Sequence, residues 1–330
     1  MKCTLLDTKG VRMNDDDPSL TSTIFRSAER IRQLDLTCQA KARLDRLELA
    51  ARLLGGNRRK GQRLPVRKQA MIKLDGQSHC SATIDIGEHG FMLDRPARIT
   101  DPAEAPASVT IEQLGMLETE LVGWTRKTLS FRLVKQQEGT TAARQAVLIG
   151  SLQRQAVKDI SRACQFAAEI SFAFVRAVNQ RQISLAQLYS SSLRPITGTD
   201  PAQYEHPAQH WFDANMPDIM SRHVQPDANM AYAVATDRNG YLPVHQPAYA
   251  QPQRPHDILF NQSFSRHRRI YDDRWTLNAA RFSAKPIIQA RQRDMPEGLG
   301  ALVRNVSAPI RVMDHHWGAA QIGTIMDGPT

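Results

Sequence analysis

Residues 57–135 show the two-residue alternation of apolar and outward-facing positions that is typical of half-buried β-strands. One run alternates at Ala70, Ile72 and Leu74 and ends at Asp75-Gly76, a dipeptide that favours a tight hairpin turn. The next run places its buried positions at Cys80, Ala82, Ile84 and Ile86. Further strand patterns cover 91–93, 109–114, 117–124 and 129–133. So many short strands in one stretch predict a small antiparallel β-barrel.

A helical period replaces this alternation on both sides of the strands. Residues 21–56 carry apolar positions at helical spacing until Gly55-Gly56 ends the pattern, which predicts a lead-in helix. Residues 140–189 keep one helical register at Ile149, Leu152, Ala156, Ile160, Ala163, Ala167, Ile170, Phe174 and Val178. This register predicts a long amphipathic helix that either packs on its own domain or forms a homodimer. Helix packing and heptads share this period, so both interpretations stay open.

The last part of the chain, 190–330, begins with a polar, Pro-rich linker and ends in strand patterns. Strands are predicted at 231–236, 286–293, 301–312 and 317–325. Helical segments followed by a strand meander indicate an α+β fold. The predicted organisation is a flexible tail (1–20), the lead-in helix (21–56), the barrel (57–135), the long helix (140–189) and an α+β domain (190–330).

Composition narrows the class of protein. The 330 residues are 41% hydrophobic, which suits a globular chain, and no apolar run is long enough for a membrane span. The four cysteines are far apart and the first residues do not form a signal peptide, so we expect a cytoplasmic protein. The net charge of +10 would attract polyanions, but the basic residues are dispersed and form no known nucleic-acid motif. We therefore expect no sequence-specific nucleic-acid binding.

Two short strings carry the candidate chemistry. The first, Arg58-Arg59-Lys60-Gly61-Gln62-Arg63, sets Arg59 and Arg63 four positions apart just before a strand. The second, Asp85-Ile86-Gly87-Glu88-His89-Gly90, ends an alternating strand with an acid and two glycines. A guanidinium can pair with phosphate oxygens or with a guanine edge, and a carboxylate can accept guanine N–H groups. The alternation turns Asp85 to the face opposite the buried one, and Gly90 permits close backbone approach.

In their order and spacing, these strings resemble the paired RxxxR and (D/N)xSxxG elements of the PilZ domain, a bacterial receptor for cyclic dinucleotides. The resemblance implies a PilZ-like barrel that binds c-di-GMP through Arg58, Arg59, Arg63, Asp85, Gly87 and Gly90. The family carries serine where this chain has Gly87, so about one ligand hydrogen bond should be missing and the affinity lowered roughly tenfold. A barrel that no longer binds the nucleotide and acts as an interaction scaffold is the alternative.

The C-terminal region has a second resemblance. The strings at 237–243, 268–274, 307–310 and 316–318 occur in order and resemble the C-terminal part of some bacterial methyl-accepting chemotaxis proteins. This implies a PAS- or Cache-like sensor domain. A second ligand pocket is predicted from Tyr241, Arg268, Arg269, Asp272, Arg274 and His316. The same charges would equally suit a salt-bridged structural network, and this interpretation also stays open.

The predicted function is that of a cytoplasmic c-di-GMP-binding signalling protein, linked to motility or chemotaxis-type signalling and acting on an unknown protein partner. The sequence contains no nucleophile elbow, P-loop, dinucleotide fingerprint or paired-carboxylate motif, so we expect no enzymatic activity. The histidines show no HxH or HExxH spacing, and we expect neither a metal nor a cofactor beyond c-di-GMP as the ligand.

Overall fold

The structure is a computed structural model that describes residues 63–100, 102, 105–134, 139–224, 229–293 and 301–326. The predicted tail and lead-in helix, together with Arg58 and Arg59, lie outside the described residues. The described part contains a β-barrel, a long helix and a second, four-stranded sheet.

Seven strands form the first sheet. They are β1 (Arg63–Pro65), β2 (Gln69–Leu74), β3 (Gln77–Gly87), β4 (Gly90–Asp94), β5 (Pro106–Ile111), β6 (Gly115–Trp124) and β7 (Thr128–Leu133). Six of them close into an antiparallel barrel in the order β2–β3–β4–β7–β6–β5, with β5 pairing back to β2. The short β1 pairs with the end of β3, beyond the residues that pair with β2. The predicted small antiparallel barrel is confirmed.

The barrel follows from the alternation seen in the sequence. Strand β2 buries Ala70, Ile72 and Leu74, and the turn at Asp75-Gly76 has positive φ at both residues, as a tight hairpin requires. The interior is apolar, and the Phe91 and Phe131 rings stack at its centre with centroids 5.4 Å apart. Each large apolar side chain removed from water contributes about 1.5–3 kcal/mol. Burial of one face of each strand therefore stabilises the closed barrel.

The long helix α1 spans Gly139–Asn179, and its buried residues follow the predicted register. It ends about ten residues before the predicted boundary at residue 189, because Arg181 adopts φ 59° and closes a Schellman motif. In that motif the N–H of Gln182 donates to the Ala177 carbonyl (2.9 Å), and that of Arg181 donates to the Val178 carbonyl (3.0 Å).

The remaining elements build the C-terminal region. They are α2 (Leu185–Leu188), β8 (Arg194–Pro195), β9 (Tyr204–Glu205), α3 (Gln209–His223), β10 (Met230–Asp237), β11 (Tyr241–Leu242), a 3₁₀ turn (Pro247–Tyr249), α4 (Ile258–Phe264), β12 (Arg269–Ile270), α5 (Arg274–Arg281), β13 (Ile287–Arg293), β14 (Ala301–Val312) and β15 (His315–Ile325). Strands β10, β15, β14 and β13 form an antiparallel sheet in that order. The predicted α+β arrangement and its terminal strands are confirmed, and the narrower PAS- or Cache-like assignment stays a prediction.

Helix α1 joins the two sheets. Its apolar face packs on β14, β15 and α3, where Phe174 contacts the rings of Trp211, Phe212 and Trp317. The predicted apolar face of the helix is therefore covered by the C-terminal region of the same chain, as expected for a helix that packs on its own domain. Strand β1 lies against both α1 and β13, so barrel, helix and second sheet meet beside Arg63. Dimerisation through the helix stays a prediction.

Candidate functional site

The pairing of β1 with β3 places Arg63, the last residue of the first predicted string, beside the second string. Arg63 lies opposite Gly87 in the register, and Pro65 lies opposite Asp85. The Nη1 atom of Arg63 is 3.5 Å from Oδ1 of Asp85, and the two side chains keep 18% and 15% of their surface exposed. Ile84 and Ile86 are buried on either side of the half-buried Asp85. The predicted alternation does not hold over the whole strand: Cys80 is exposed and Thr83 is buried, and the β3–β4 register shifts between Thr83 and Asp85. The arginine and the carboxylate thus converge from different strands at the barrel surface.

Gly90 begins β4 at a point where the backbones approach closely. A Cβ at this position would collide with the carbonyl oxygen of Phe131 on the neighbouring β7 and would lie 3.1 Å from Nη2 of Arg63. The same Nη2 is 3.5 Å from the Phe131 carbonyl oxygen. Only glycine fits this contact without displacing either the strand or the arginine.

Two further arginines near the first string have acidic partners at short distance. Arg67 contacts Asp94 at 2.5 Å, and Arg132 contacts Glu120 at 2.5 Å. The contact between Arg63 and Asp85 is longer than either. A guanidinium next to a carboxylate presents hydrogen-bond donors and acceptors side by side, which suits a ligand that carries both phosphates and a purine edge.

The structure adds one residue that sequence reasoning missed. Gln145, in the second turn of α1, is 8% exposed, and its Nε2 donates to the Gly87 carbonyl at 3.1 Å. A second, longer contact of 3.4 Å reaches the Glu88 carbonyl. The available signal was a glutamine four positions before Ile149 on an otherwise apolar helix stripe.

In the C-terminal region, the structure brings Tyr241 and Arg268 into one hydrogen-bonded chain. The Tyr241 hydroxyl lies 2.7 Å from Oε1 of Gln209, whose amide donates to Asp213 at 2.8 Å. Asp213 in turn accepts from Nη2 of Arg268 at 2.6 Å. Tyr241 is fully buried, and this burial raises the pKa of its phenol well above the usual range. These groups bond to one another.

The other residues of the predicted second pocket have different surroundings. The Arg269 guanidinium lies over the Tyr271 ring at 5.2 Å, and Asp272 is exposed. Arg274 begins α5. His316 pairs with Arg311 in the β14–β15 register, and burial followed by the Arg311 charge lowers its pKa. The second pocket stays a prediction, and its core would be the chain formed by Tyr241, Gln209, Asp213 and Arg268.

The barrel and α1 also border a groove outside the predicted sites. This groove of about 350 Å³ lies between the Gln113-Leu114 turn and Arg144, Val147 and Leu148 of α1, and its lining includes none of the predicted site residues. Within the described ranges, no three His, Cys, Asp or Glu side chains could hold one metal ion. No helix in those ranges is both long and apolar enough to cross a membrane.

No protein-family model and no curated protein matches the chain. Among solved structures, it is similar to YcgR from Escherichia coli in complex with c-di-GMP, with 21% identity and a TM-score of 0.26 over 31% of this chain and 49% of that one. It is also similar to the PilZ domain of YcgR with c-di-GMP, with 20% identity and a TM-score of 0.25 over 31% of this chain and 96% of that one.

A third solved structure, the Bacillus subtilis inhibitor of motility MotI/DgrA, shows 16% identity and a TM-score of 0.25 over 31% of this chain and 53% of that one. This chain thus spans about half the length of the YcgR and MotI structures that it matches. One of these similar structures is a PilZ domain, the class that the sequence predicted for the barrel. Identities and TM-scores this low carry no argument about what the chain binds.

Proposed function

We propose that the protein is a cytoplasmic c-di-GMP receptor without catalytic activity, which regulates motility or chemotaxis-type signalling through a protein partner. The observation that carries the proposal is the convergence of Arg63, Asp85 and Gly90 from three strands at one place on the barrel surface. Arg58 and Arg59, which precede this place in the chain, would complete the arginine clasp.

The chemistry of the ligand fits these groups. The Arg63 guanidinium would pair with a phosphate oxygen or the guanine O6 and N7, and Asp85 would accept the guanine N–H edge. Gly87 and Gly90 would let the ligand approach the backbone of the turn. The Arg63–Asp85 contact of 3.5 Å is longer than an ideal charge-assisted hydrogen bond, and a bound guanine would compete with Arg63 for this carboxylate.

Two of the similar structures are complexes with c-di-GMP, and a third is an inhibitor of motility. The C-terminal sheet with its helices would serve as the sensor-like second domain of the proposed receptor. Tyr241, Arg268, Arg269, Asp272, Arg274 and His316 remain the residues that we propose for its ligand.

Titration calorimetry of the full chain with c-di-GMP at low salt tests the proposal. Arg63→Ala should weaken binding by about 100-fold, because a charge-assisted contact is worth about 1.5–3 kcal/mol, and Arg59→Ala should have a similar effect. The matched control is Arg126→Ala, at an exposed arginine in the β6–β7 turn. No heat with the wild-type chain at tens of micromolar ligand, or equal binding by both Arg63 and Arg126 variants, would refute the proposal.

One observation favours a second function, an interaction scaffold that has lost the nucleotide. Gly87 stands where PilZ domains carry serine, and it is buried, whereas the next two residues, Glu88 and His89, are exposed. Restoring the hydroxyl with Gly87→Ser should tighten c-di-GMP binding up to about tenfold if the receptor function holds. If the protein is a scaffold instead, neither the wild-type chain nor Gly87→Ser should bind c-di-GMP.

A further inference from the structure

The contact between Gln145 and the β3–β4 turn is unusual for the helix face on which it lies. Gln145 occupies the same stripe as Ile149, Ala156 and Ile160, all of them buried. Burying an amide in such a stripe is unfavourable unless the amide is hydrogen-bonded. Its Nε2 is bonded to the Gly87 and Glu88 carbonyls at 3.1 and 3.4 Å. The Gln145 side chain therefore links helix α1 to the backbone of the β3–β4 turn.

The turn held by Gln145 is part of the candidate nucleotide site. Gly87 pairs with Arg63 in the β1–β3 register, and Asp85 contacts Arg63 from two positions earlier in β3. Glu88 and His89 are exposed, whereas Gly87 and Gly90 on either side of them are buried. A change in the backbone of this turn would therefore alter both the ligand surface and the hydrogen bonds that Gln145 makes.

Beyond Gln145, the same helix is fastened to the C-terminal sheet. Asp159, about 20 Å along the helix, forms a buried ion pair with Arg304 of β14 at 2.8 Å. Burial raises the pKa of Asp159, and the Arg304 charge opposes this. Further along, the Arg311 N–H donates to the Ser171 hydroxyl at 3.3 Å, and the Phe174 and Trp317 rings lie 4.9 Å apart. One continuous helix thus contacts the turn at one end and the sheet over the rest of its length.

We propose that Gln145 is a positioning residue of the candidate nucleotide site. Its amide holds the Gly87-Glu88 backbone against α1, so that occupancy of the site is transmitted along the helix to β14. The inference rests on the proposed c-di-GMP function. It identifies α1 as the element through which the ligand would act on the C-terminal sheet.

Gln145→Met keeps the length of the side chain and removes its amide. The matched control is Gln165→Met, at an exposed position on the same helix. Relative to this control, Gln145→Met should bind c-di-GMP about tenfold more weakly, as expected for the loss of one buried hydrogen bond. Without ligand, the backbone amides of residues 87–90 should exchange with deuterium about tenfold faster in Gln145→Met than in Gln165→Met.

The readout that distinguishes transmission from a merely structural role is the protection of β14. In the wild-type chain and in Gln165→Met, c-di-GMP should slow amide exchange across 301–312. In Gln145→Met at saturating ligand, this slowing should be lost. If c-di-GMP protects residues 301–312 equally in all three proteins, Gln145 does not transmit binding to β14. If residues 87–90 exchange equally fast in all three proteins without ligand, Gln145 does not position the turn.

The outcome also separates this inference from the function on which it rests. If the wild-type chain does not take up c-di-GMP, the proposed function fails, and transmission of its binding fails with it. Faster exchange at 87–90 in Gln145→Met would still support the positioning role in that case. If the wild-type chain binds and Gln145→Met binds equally well, the receptor stands and the role of Gln145 is refuted.

Discussion

The barrel site and the C-terminal polar cluster are built from similar residues but differ in how their charges are paired. At the barrel, Nη1 of Arg63 lies 3.5 Å from Asp85, and Nη2 lies 3.5 Å from the Phe131 carbonyl. In the C-terminal cluster, Arg268 lies 2.6 Å from Asp213, and Tyr241 lies 2.7 Å from Gln209. The Arg63–Asp85 contact is the longer of the two ion pairs, although Arg63 and Asp85 (18% and 15% exposed) are less exposed than Arg268 and Asp213 (26% and 42%). Only the Tyr241 phenol is fully buried.

This difference indicates different roles for the two clusters. A long ion-pair contact is exchanged for contacts with a ligand at smaller energetic cost than a chain of short hydrogen bonds that ends on a buried phenol. We therefore expect changes in the C-terminal cluster to act mainly on stability. Changes in the barrel site should act on binding, and on stability only where the backbone itself is crowded.

The largest expected effect is a loss of stability in acid at His206, whose ring stacks on Tyr241 of the C-terminal cluster with centroids 5.6 Å apart. Burial lowers the pKa of His206 to about 4. Its Nδ1 accepts from the Ala208 N–H at 3.1 Å, and its Nε2 lies 3.2 Å from the Ser190 carbonyl, an arrangement that suits the neutral ring. An unfolded histidine has a pKa of about 6.5. The stabilisation is thus present above pH 6.5 and is lost as the pH falls towards 4, by about 3 kcal/mol.

Urea unfolding followed by Trp fluorescence between pH 4 and 7 measures this loss. His206→Gln should flatten the pH dependence of the free energy of unfolding, while His210→Gln, at an exposed position on α3, should preserve it. Should both variants keep the wild-type slope, burial of neutral His206 would not be the source of the acid sensitivity.

A smaller effect is expected at the crowded point of the barrel site. Gly90→Ala would force a methyl group against the Phe131 carbonyl oxygen, and overpacking of this kind costs about 1–3 kcal/mol. Gly123→Ala is the control, since a Cβ on that glycine would meet nothing within 4 Å. Thermal unfolding should show a lower midpoint for Gly90→Ala alone. Equal midpoints would mean that the strands can separate freely there, and that the glycine is not required for the close approach.

The sequence predicted the strands of the barrel better than the partners of the C-terminal charges, for a physical reason. Alternation and the Asp75-Gly76 turn determine the β2–β3 hairpin and its register, although the register shift between Thr83 and Asp85 has no signal in the local pattern. At 268–274 no such period operates. Arg268 has a φ of 57°, Asp273 caps α5 by accepting from the Thr276 N–H, and neighbouring side chains therefore find different partners. Charges that are close in sequence separate in space.

Two features of the barrel site depended on long-range contacts that no local pattern contains. Gln145 reaches Gly87 across 58 positions, and Arg63 approaches Phe131 across 68. Local spacing could place a polar residue on a helix stripe, but only the packing of α1 on the barrel shows which carbonyls it meets. The end of α1 was mispredicted for a local reason, since Arg181 enters the left-handed region without a glycine to signal it.

The smallest predicted effect tests whether the C-terminal cluster is as closed as its short distances indicate. Tyr241→Phe removes a buried hydroxyl that lies 2.7 Å from Gln209 and 2.9 Å from the Tyr204 carbonyl, and should lower the free energy of unfolding by about 1 kcal/mol. Tyr204→Phe, at a half-buried ring on the neighbouring strand, is the control and should cost less than about 0.5 kcal/mol. Since the cluster bonds to itself, c-di-GMP affinity should be the same for both variants. A loss of c-di-GMP affinity in Tyr241→Phe alone would show that the two regions are coupled more directly than through α1. The C-terminal cluster would then act on binding as well as on stability.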